Sequence, residues 1–251
     1  MNILTSKQIR HPNDVAEELN NQKIIELPKK ETDEFTINSD IKKEDYVRIP
    51  NTNTLIQRTE SFKGENWNDT HYALQDNGLF MPNPKLFTDY FLNVRKAINK
   101  EIILYNGDNN PIPYEEVKEI WNYLTAGYNK GCFTWLDAKF EQKQDGLYLL
   151  TNHIIQSDNS LKPQTIEKLE DCITGSYYVD LKFNNQGMPI KKSNFNKYKQ
   201  GENIYFFNPI DKFVVRFYAY SDGASLDCSG DPSFSHEGLG VFGCAEGTQK
   251  K

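Results

Sequence analysis

The side chains able to do chemistry in this 251-residue chain are few and widely spaced. Its four histidines, His11, His71, His153 and His236, are scattered and show no ligand spacing, whereas a zinc site gathers several such groups at recognisable intervals. His153 sits among the apolar residues of a strand-like run, so we read it as a satisfied core histidine rather than a catalytic base. The four cysteines, Cys132, Cys172, Cys228 and Cys244, have no CxxC spacing and read as buried free thiols, with one bridge left open. Asp108-Asn109-Asn110 lacks the alternating ligands and closing glutamate of a calcium loop and reads as a turn. No phosphate-binding glycine loop, dinucleotide fingerprint or HExxH motif occurs. We therefore expect no cofactor, no metal and no catalytic residues.

What remains is the chemistry of a surface. From Phe213 to His236, 24 residues contain no Lys, Glu, Gln, Met or Trp, whereas the longest such gap elsewhere, Ile102 to Tyr114, is 13 residues. Asparagine breaks as well: 26 occur up to Asn208 and none in the final 43 residues. Inside the segment, Phe217, Ala219 and Ser221 alternate with Tyr218, Tyr220 and Asp222. After Gly223 the frame shifts by one, and Ala224, Leu226 and Cys228 alternate with Ser225, Asp227 and Ser229. Period two places each set on one face of a strand, and the shift marks a bulge or tight bend at Gly223. Asp231 to His236 reads as an exposed loop and Gly238 to Cys244 as a closing strand. The candidate ligand-binding face is thus Tyr218, Tyr220, Asp222, Gly223, Ser225, Asp227, Ser229, Gly230, Asp231, Phe234 and His236. Tyrosine offers broad amphipathic contact at small entropic cost, while Ser, Gly and Asp supply adaptable hydrogen bonding. Tyr218, Tyr220 and Phe234 would be the anchors, with Asp222, Asp227, Asp231 and His236 tuning polarity. The alternation alone also fits a half-exposed sheet edge beside a Ser-rich loop.

The pattern Arg216-Phe217-x-Ala219-x-Ser221, Ala224-x-Leu226-x-Cys228, Asp231-Pro232, Leu239-Gly240-Val241 and Cys244-Ala245-Glu246-Gly247 resembles the variable region of diversity-generating retroelement target proteins, especially the archaeal members. The resemblance implies a C-type lectin-like fold, in the variant shared with formylglycine-generating enzymes, with a hypervariable segment at about 213–247. It also implies that a reverse transcriptase randomises template adenines, so that asparagine codons become any codon ending in a pyrimidine. That set never encodes Lys, Glu, Gln, Met or Trp, which accounts for both composition breaks together. The function implied is recognition of a protein or glycan through interchangeable outward side chains. Phe217, Ala219, Leu226, Cys228, Gly240 and Val241 then belong to the scaffold, and Glu237 to a fixed position. Two alternatives stay open: a formylglycine-generating-type enzyme using Cys228 and Cys244 as its thiol pair, and a viral or cell-surface attachment protein with an invariant ligand. The triplet Trp67-Asn68-Asp69, which sugar-binding lectins place near the chain end, lies here in the first third without its partner motif and reads as coincidence.

Such a face has to be held by a domain. With Lys+Arg 29 against Asp+Glu 35, the net charge of -6 argues against a nucleic-acid partner. No apolar run approaches the roughly 20 residues of a spanning helix, so no membrane insertion is expected. An aromatic content of 13% is that of an ordered chain. The amino terminus lacks the segments of a secretory signal, which suits a soluble protein, cytoplasmic or displayed on a virion or cell surface through a partner. Helices are predicted from Asn83-Pro84 to about Ile98, from Pro113 to a stop at Gly127, and from Pro163 to Gly175. Strand-like runs lie between and after them, at Gly131–Phe140, Gly146–Ile155, Tyr177–Phe183 and Ile204–Phe207. Helices first and short strands later predict an α+β domain over 46–251. Residues 1–45, with a short capped helix near Pro12, would form an extension packed on it.

Overall fold

Helices form where a capping side chain and an apolar stripe agree. A computed structural model of the chain describes residues 42–126 and 131–246; the short helix near Pro12, most of the extension, the stop at Gly127 and Gly247 lie outside them. Three α-helices come early: α1 (Trp67–Asp76), α2 (Pro84–Ile98) and α3 (Tyr114–Ala126). As predicted, α2 starts with Pro84 behind Asn83, whose side-chain oxygen accepts the Leu86 N–H at 2.9 Å. It buries Phe87, Tyr90, Phe91 and Val94, and α3 adds Val117, Ile120, Trp121 and Leu124 to the same core.

Helix α1 was not foreseen. Asn66 caps it by accepting the Asp69 N–H at 3.0 Å, so Trp67-Asn68-Asp69 is a helix N-terminus. The helix predicted after Pro163 does not form. That stretch is β5 (Leu161–Lys168), an edge strand that leaves Ile166 exposed. Proline is tolerated at a sheet edge, where its missing donor leaves no ladder bond unmade. Three apolar residues at helical spacing did not outweigh antiparallel pairing with the neighbouring strand.

The strands make two sheets. β1 (Tyr46–Arg48), β2 (Thr54–Gln57) and β10 (Cys244–Glu246) form a small sheet in the order β1-β2-β10. β3 (Cys132–Lys143), β4 (Gly146–Ile155), β5, β6 (Tyr177–Asp180), β7 (Asn203–Phe207), β8 (Val214–Tyr220) and β9 (Gly223–Gly230) form the other, in the order β5-β4-β3-β8-β9-β7-β6. Its ladders are antiparallel except β7 with β9. The fold class is α+β. The expected closing strand is instead a loop whose Gly240 and Val241 make isolated bridges to Thr134 and Ser61, and regular pairing begins only at Cys244.

One face of the large sheet, with Leu136, Phe140, Phe206, Phe217, Ala219, Leu226 and Cys228, joins α2 and α3 in the main core. A second apolar cluster, including Trp67, Phe133, Trp135, Leu239 and Val241, is built against the other face. All four cysteines are free; Cys132, Cys228 and Cys244 are buried and Cys172 partly so.

Candidate ligand-binding face

The bend expected at Gly223 is a hairpin turn. Tyr220 pairs with Gly223, leaving Ser221-Asp222 as a two-residue loop between β8 and β9. Gly223 has φ of 137°, and a Cβ there would lie 2.6 Å from the Tyr198 ring, so only glycine fits. Tyr198 is itself fixed by donating its hydroxyl to the Thr125 carbonyl at 2.6 Å. Ser221, which the alternation places on the side of Phe217 and Ala219, is exposed because it sits in the turn.

Register then fixes what shares a face. Tyr218 stands opposite Ser225 and Arg216 opposite Asp227, while Phe217–Leu226 and Ala219–Ala224 point to the core. On the flanking strands, Phe133 is paired with Tyr218, and Tyr205 and Phe207 with Ser225 and Asp227. Tyr178 is paired with Tyr205 in turn. The result is a band of rings contributed by four strands, with β9, which has none, running between β7 and β8. Centroid separations are 5.0 Å for Tyr178–Tyr205, 4.9 Å for Tyr205–Phe207, 6.3 Å for Phe207–Tyr218 and 5.7 Å for Tyr218–Tyr220. Phe133 lies 5.9 Å from Tyr218, 6.5 Å from Phe234 and 6.1 Å from His236. Phe234 and His236 are near-parallel at 7°.

Exposure divides the eleven candidates. Tyr220, Asp222, Asp231, Phe234 and His236 are exposed, and Tyr218 and Ser229 are half-buried. Gly223, Ser225, Asp227 and Gly230 are buried, which corrects the expectation that the whole alternating set is open to solvent. The reason is position in the sheet. β9 is an inner strand between β8 and β7, so its small side chains lie among the larger ones of its neighbours although they point away from the core. Gly230 is also closely packed: a Cβ there would sit 3.0 Å from the Val214 carbonyl oxygen and 3.3 Å from Trp135.

Asp227 has an internal task. Its carboxylate accepts from Arg216 Nε at 2.9 Å and from the Ser229 N–H and hydroxyl at 2.8 and 2.6 Å. The Arg216 guanidinium lies 5.5 Å from the ring centroids of both Phe133 and Phe234. Phe133 is in turn held by its N–H, which donates to the buried Glu60 carboxylate at 2.9 Å. The loop after β9 is ordered by Asp231, which accepts from the Ser233 N–H and hydroxyl at 2.9 and 2.7 Å; these bonds lower its pKa. His236 Nδ1 accepts the Gly238 N–H at 3.0 Å. The α1 N-terminus holds the loop too, through the Trp67 N–H to the Pro232 carbonyl at 3.2 Å. Burial raises the pKa of the Tyr218 and Tyr220 phenols, which therefore present neutral hydroxyls.

The sequence reading missed Phe133, Tyr178, Tyr205, Phe207 and Arg216. For Tyr205 and Phe207 a signal existed, since Ile204 and Phe206 alternate with them. It also called the histidines scattered. Among the described residues, the side chains with metal-ligand proximity are His71, Asp137 and His153, buried between α1, β3 and β4. No family model matches the chain, and no curated protein or solved structure matches it either.

Proposed function

We propose that this chain is the variable protein of a diversity-generating retroelement, of the archaeal type, built on a C-type lectin-like fold and binding a protein or glycan. The observation that carries the reading joins sequence to exposure. Exposed positions are normally rich in Lys, Glu and Gln. Between Phe213 and His236 the exposed residues are Tyr220, Ser221, Asp222, Asp231, Ser233, Phe234, Ser235 and His236, all of types that pyrimidine-ending codons encode. Ordinary surface chemistry gives no reason for that restriction; randomised asparagine codons do. The face is a band of rings with hydroxyls and carboxylates at its margin, a composition suited to recognition by contact.

On this reading the randomised positions are those at the turn and in the loop, while Gly223, Gly230 and Asp227 belong to the framework. The enzymatic alternative draws little support from its two cysteines. Cys228 lies on β9 with its sulfur 3.9 Å from Met188 Sδ, Cys244 belongs to the other sheet, and burial pushes both thiols well up in pKa.

Sequencing the coding segment and its flanks across closely related isolates tests the proposal. The expected result is a near-copy of the Phe213–Gly247 segment with asparagine codons at the exposed positions, beside a reverse-transcriptase gene, and substitutions confined to those positions. Evenly distributed substitutions, or variation concentrated at Gly223 and Asp227, would overturn it.

A further inference from the structure

Three buried polar side chains take no part in the aromatic face. His71 on α1, Asp137 on β3 and His153 on β4 offer ligand atoms that all lie within 4.8 Å of one another. The strands are irregular just there. The β3–β8 ladder shifts register between Leu136 and Lys139, and Asn152, beside His153, has φ of 56°. These departures turn Asp137 and His153 toward each other, as bulges near functional sites do. Asp137 Oδ2 accepts the His153 N–H at 2.8 Å, and its Oδ1 stands 2.5 Å from His153 Nδ1.

His71 is the unexplained member. It is 5% exposed, and its Nε2 has no hydrogen-bond partner. The nearest polar atom across the cluster, Asp137 Oδ1, is 3.7 Å away, too far for a hydrogen bond. Leaving such an atom unsatisfied costs about 1–3 kcal/mol. Trp67 sets its ring edge-on to both imidazoles, at 4.4 and 4.9 Å, so the orphan nitrogen is held in place rather than free to swing to water.

We propose that His71 Nε2, Asp137 Oδ1 and His153 Nδ1 form a binding site for a divalent transition metal, with Zn2+ as the best-matched ion. Two imidazoles and one carboxylate are a donor set that borderline transition metals favour and that Ca2+ or Mg2+, which take mostly oxygen ligands, do not. Bond lengths of about 2.0–2.2 Å require the three groups to shift as the metal takes the place of the His153 Nδ1–Asp137 Oδ1 hydrogen bond, with His153 then carrying its proton on Nε2. Three protein ligands leave one coordination position for water. An open cleft of about 310 Å3, bordered by His153, Trp67, Lys139, Glu141 and Lys212, reaches one of the three ligands. Such a metal would tie α1 to the sheet next to the backbone bond from Trp67 to Pro232.

The test uses the full chain, stripped with chelator and titrated with Zn2+ by calorimetry, beside Mg2+ and Ca2+ as controls. Expected are one Zn2+ per chain, no comparable binding of the control ions, and at least a ~100-fold loss of affinity in His71→Ala, a ligand removal that should exceed the usual second-shell penalty. This variant removes no hydrogen bond, and its folding is checked by circular dichroism. Co2+ substitution of the wild type should give visible bands of a nitrogen- and oxygen-ligated, low-coordinate ion. Histidine 1H–15N correlation spectra should show Zn2+ shifting His71 and His153 together, a readout that stands even where His71→Ala does not fold. Absence of stoichiometric Zn2+ binding, binding unchanged in His71→Ala, or histidine signals that do not move would each overturn the proposal. None of these outcomes depends on the ligand-binding reading.

Discussion

The pair Arg216–Asp227 allows a sharp test of which outward residues can vary. The two partners differ in burial: the Asp227 side chain is 4% exposed and that of Arg216 22%. Breaking a buried pair by deleting one partner typically costs about 3–5 kcal/mol, because the other charge is left without compensation. Arg216→Met keeps much of the apolar stem and strands the more deeply buried carboxylate. The Ser229 N–H and hydroxyl still reach Asp227, and hydrogen bonds to a charged group are worth about 1.5–3 kcal/mol each, so the expected loss falls at the low end, about 3 kcal/mol. Asp227→Ala leaves a guanidinium that can turn to water but also removes the acceptor of both Ser229 hydrogen bonds, so its loss should be at least as large, about 3–5 kcal/mol. For a chain of this size, about 3 kcal/mol corresponds to a fall in Tm of about 6–12 °C. Urea unfolding of both single variants and the double variant gives the ranking and the coupling, with the double variant losing less than the sum of the two. A loss below about 1 kcal/mol for either single variant, or a double variant that loses the full sum of the two, would refute the assignment of this pair to the framework.

Three further outcomes follow from the same geometry. Gly223→Ala places a Cβ against Tyr198 at positive φ and should cost about 2–3 kcal/mol in chemical denaturation, whereas Asp222→Ala, one residue away in the exposed turn, should stay within about 0.5 kcal/mol. Phe133→Ala should destabilise by about 3–5 kcal/mol, and protease nicking within residues 231–236 should speed up, because Phe234 and Arg216 both rest near that ring. On the alkaline side, burial raises the Tyr46 pKa to about 12 and those of Tyr90 and Tyr198 further. An unfolded chain releases these protons near pH 10, so folding stability is fully present below that pH and is lost as pH rises through about 12; tyrosinate absorbance and circular dichroism recorded together should change in one cooperative step.

Local signals were legible where they were strong. Asn83-Pro84 and the stripe Phe87, Tyr90, Phe91, Val94 specify α2 without help from the rest of the chain. The alternation through Tyr218 and Ser225 gave the facing of both strands, and Gly223 gave the bend. Exposure was not legible, because it depends on which strand lies beside β9, and the parallel neighbour β7 is separated from it by β8 in sequence. Leu161–Lys168 became a strand by folding back on β4 as an antiparallel hairpin, a pairing that the spacing of its apolar residues does not reveal. His71 and His153 are 82 residues apart, and only the packing of α1 over the irregular stretches of β3 and β4 brings their rings to 5.6 Å.

Phe133 belongs to β3, outside the segment with altered composition, yet its ring lies near Tyr220, Phe234 and His236 alike. On the proposed reading, every variant of the turn and loop is assembled around the same unchanging apolar floor. Diversity would then be exercised in the side chains that cover this buried ring, so that the support stays constant while the contact surface above it changes.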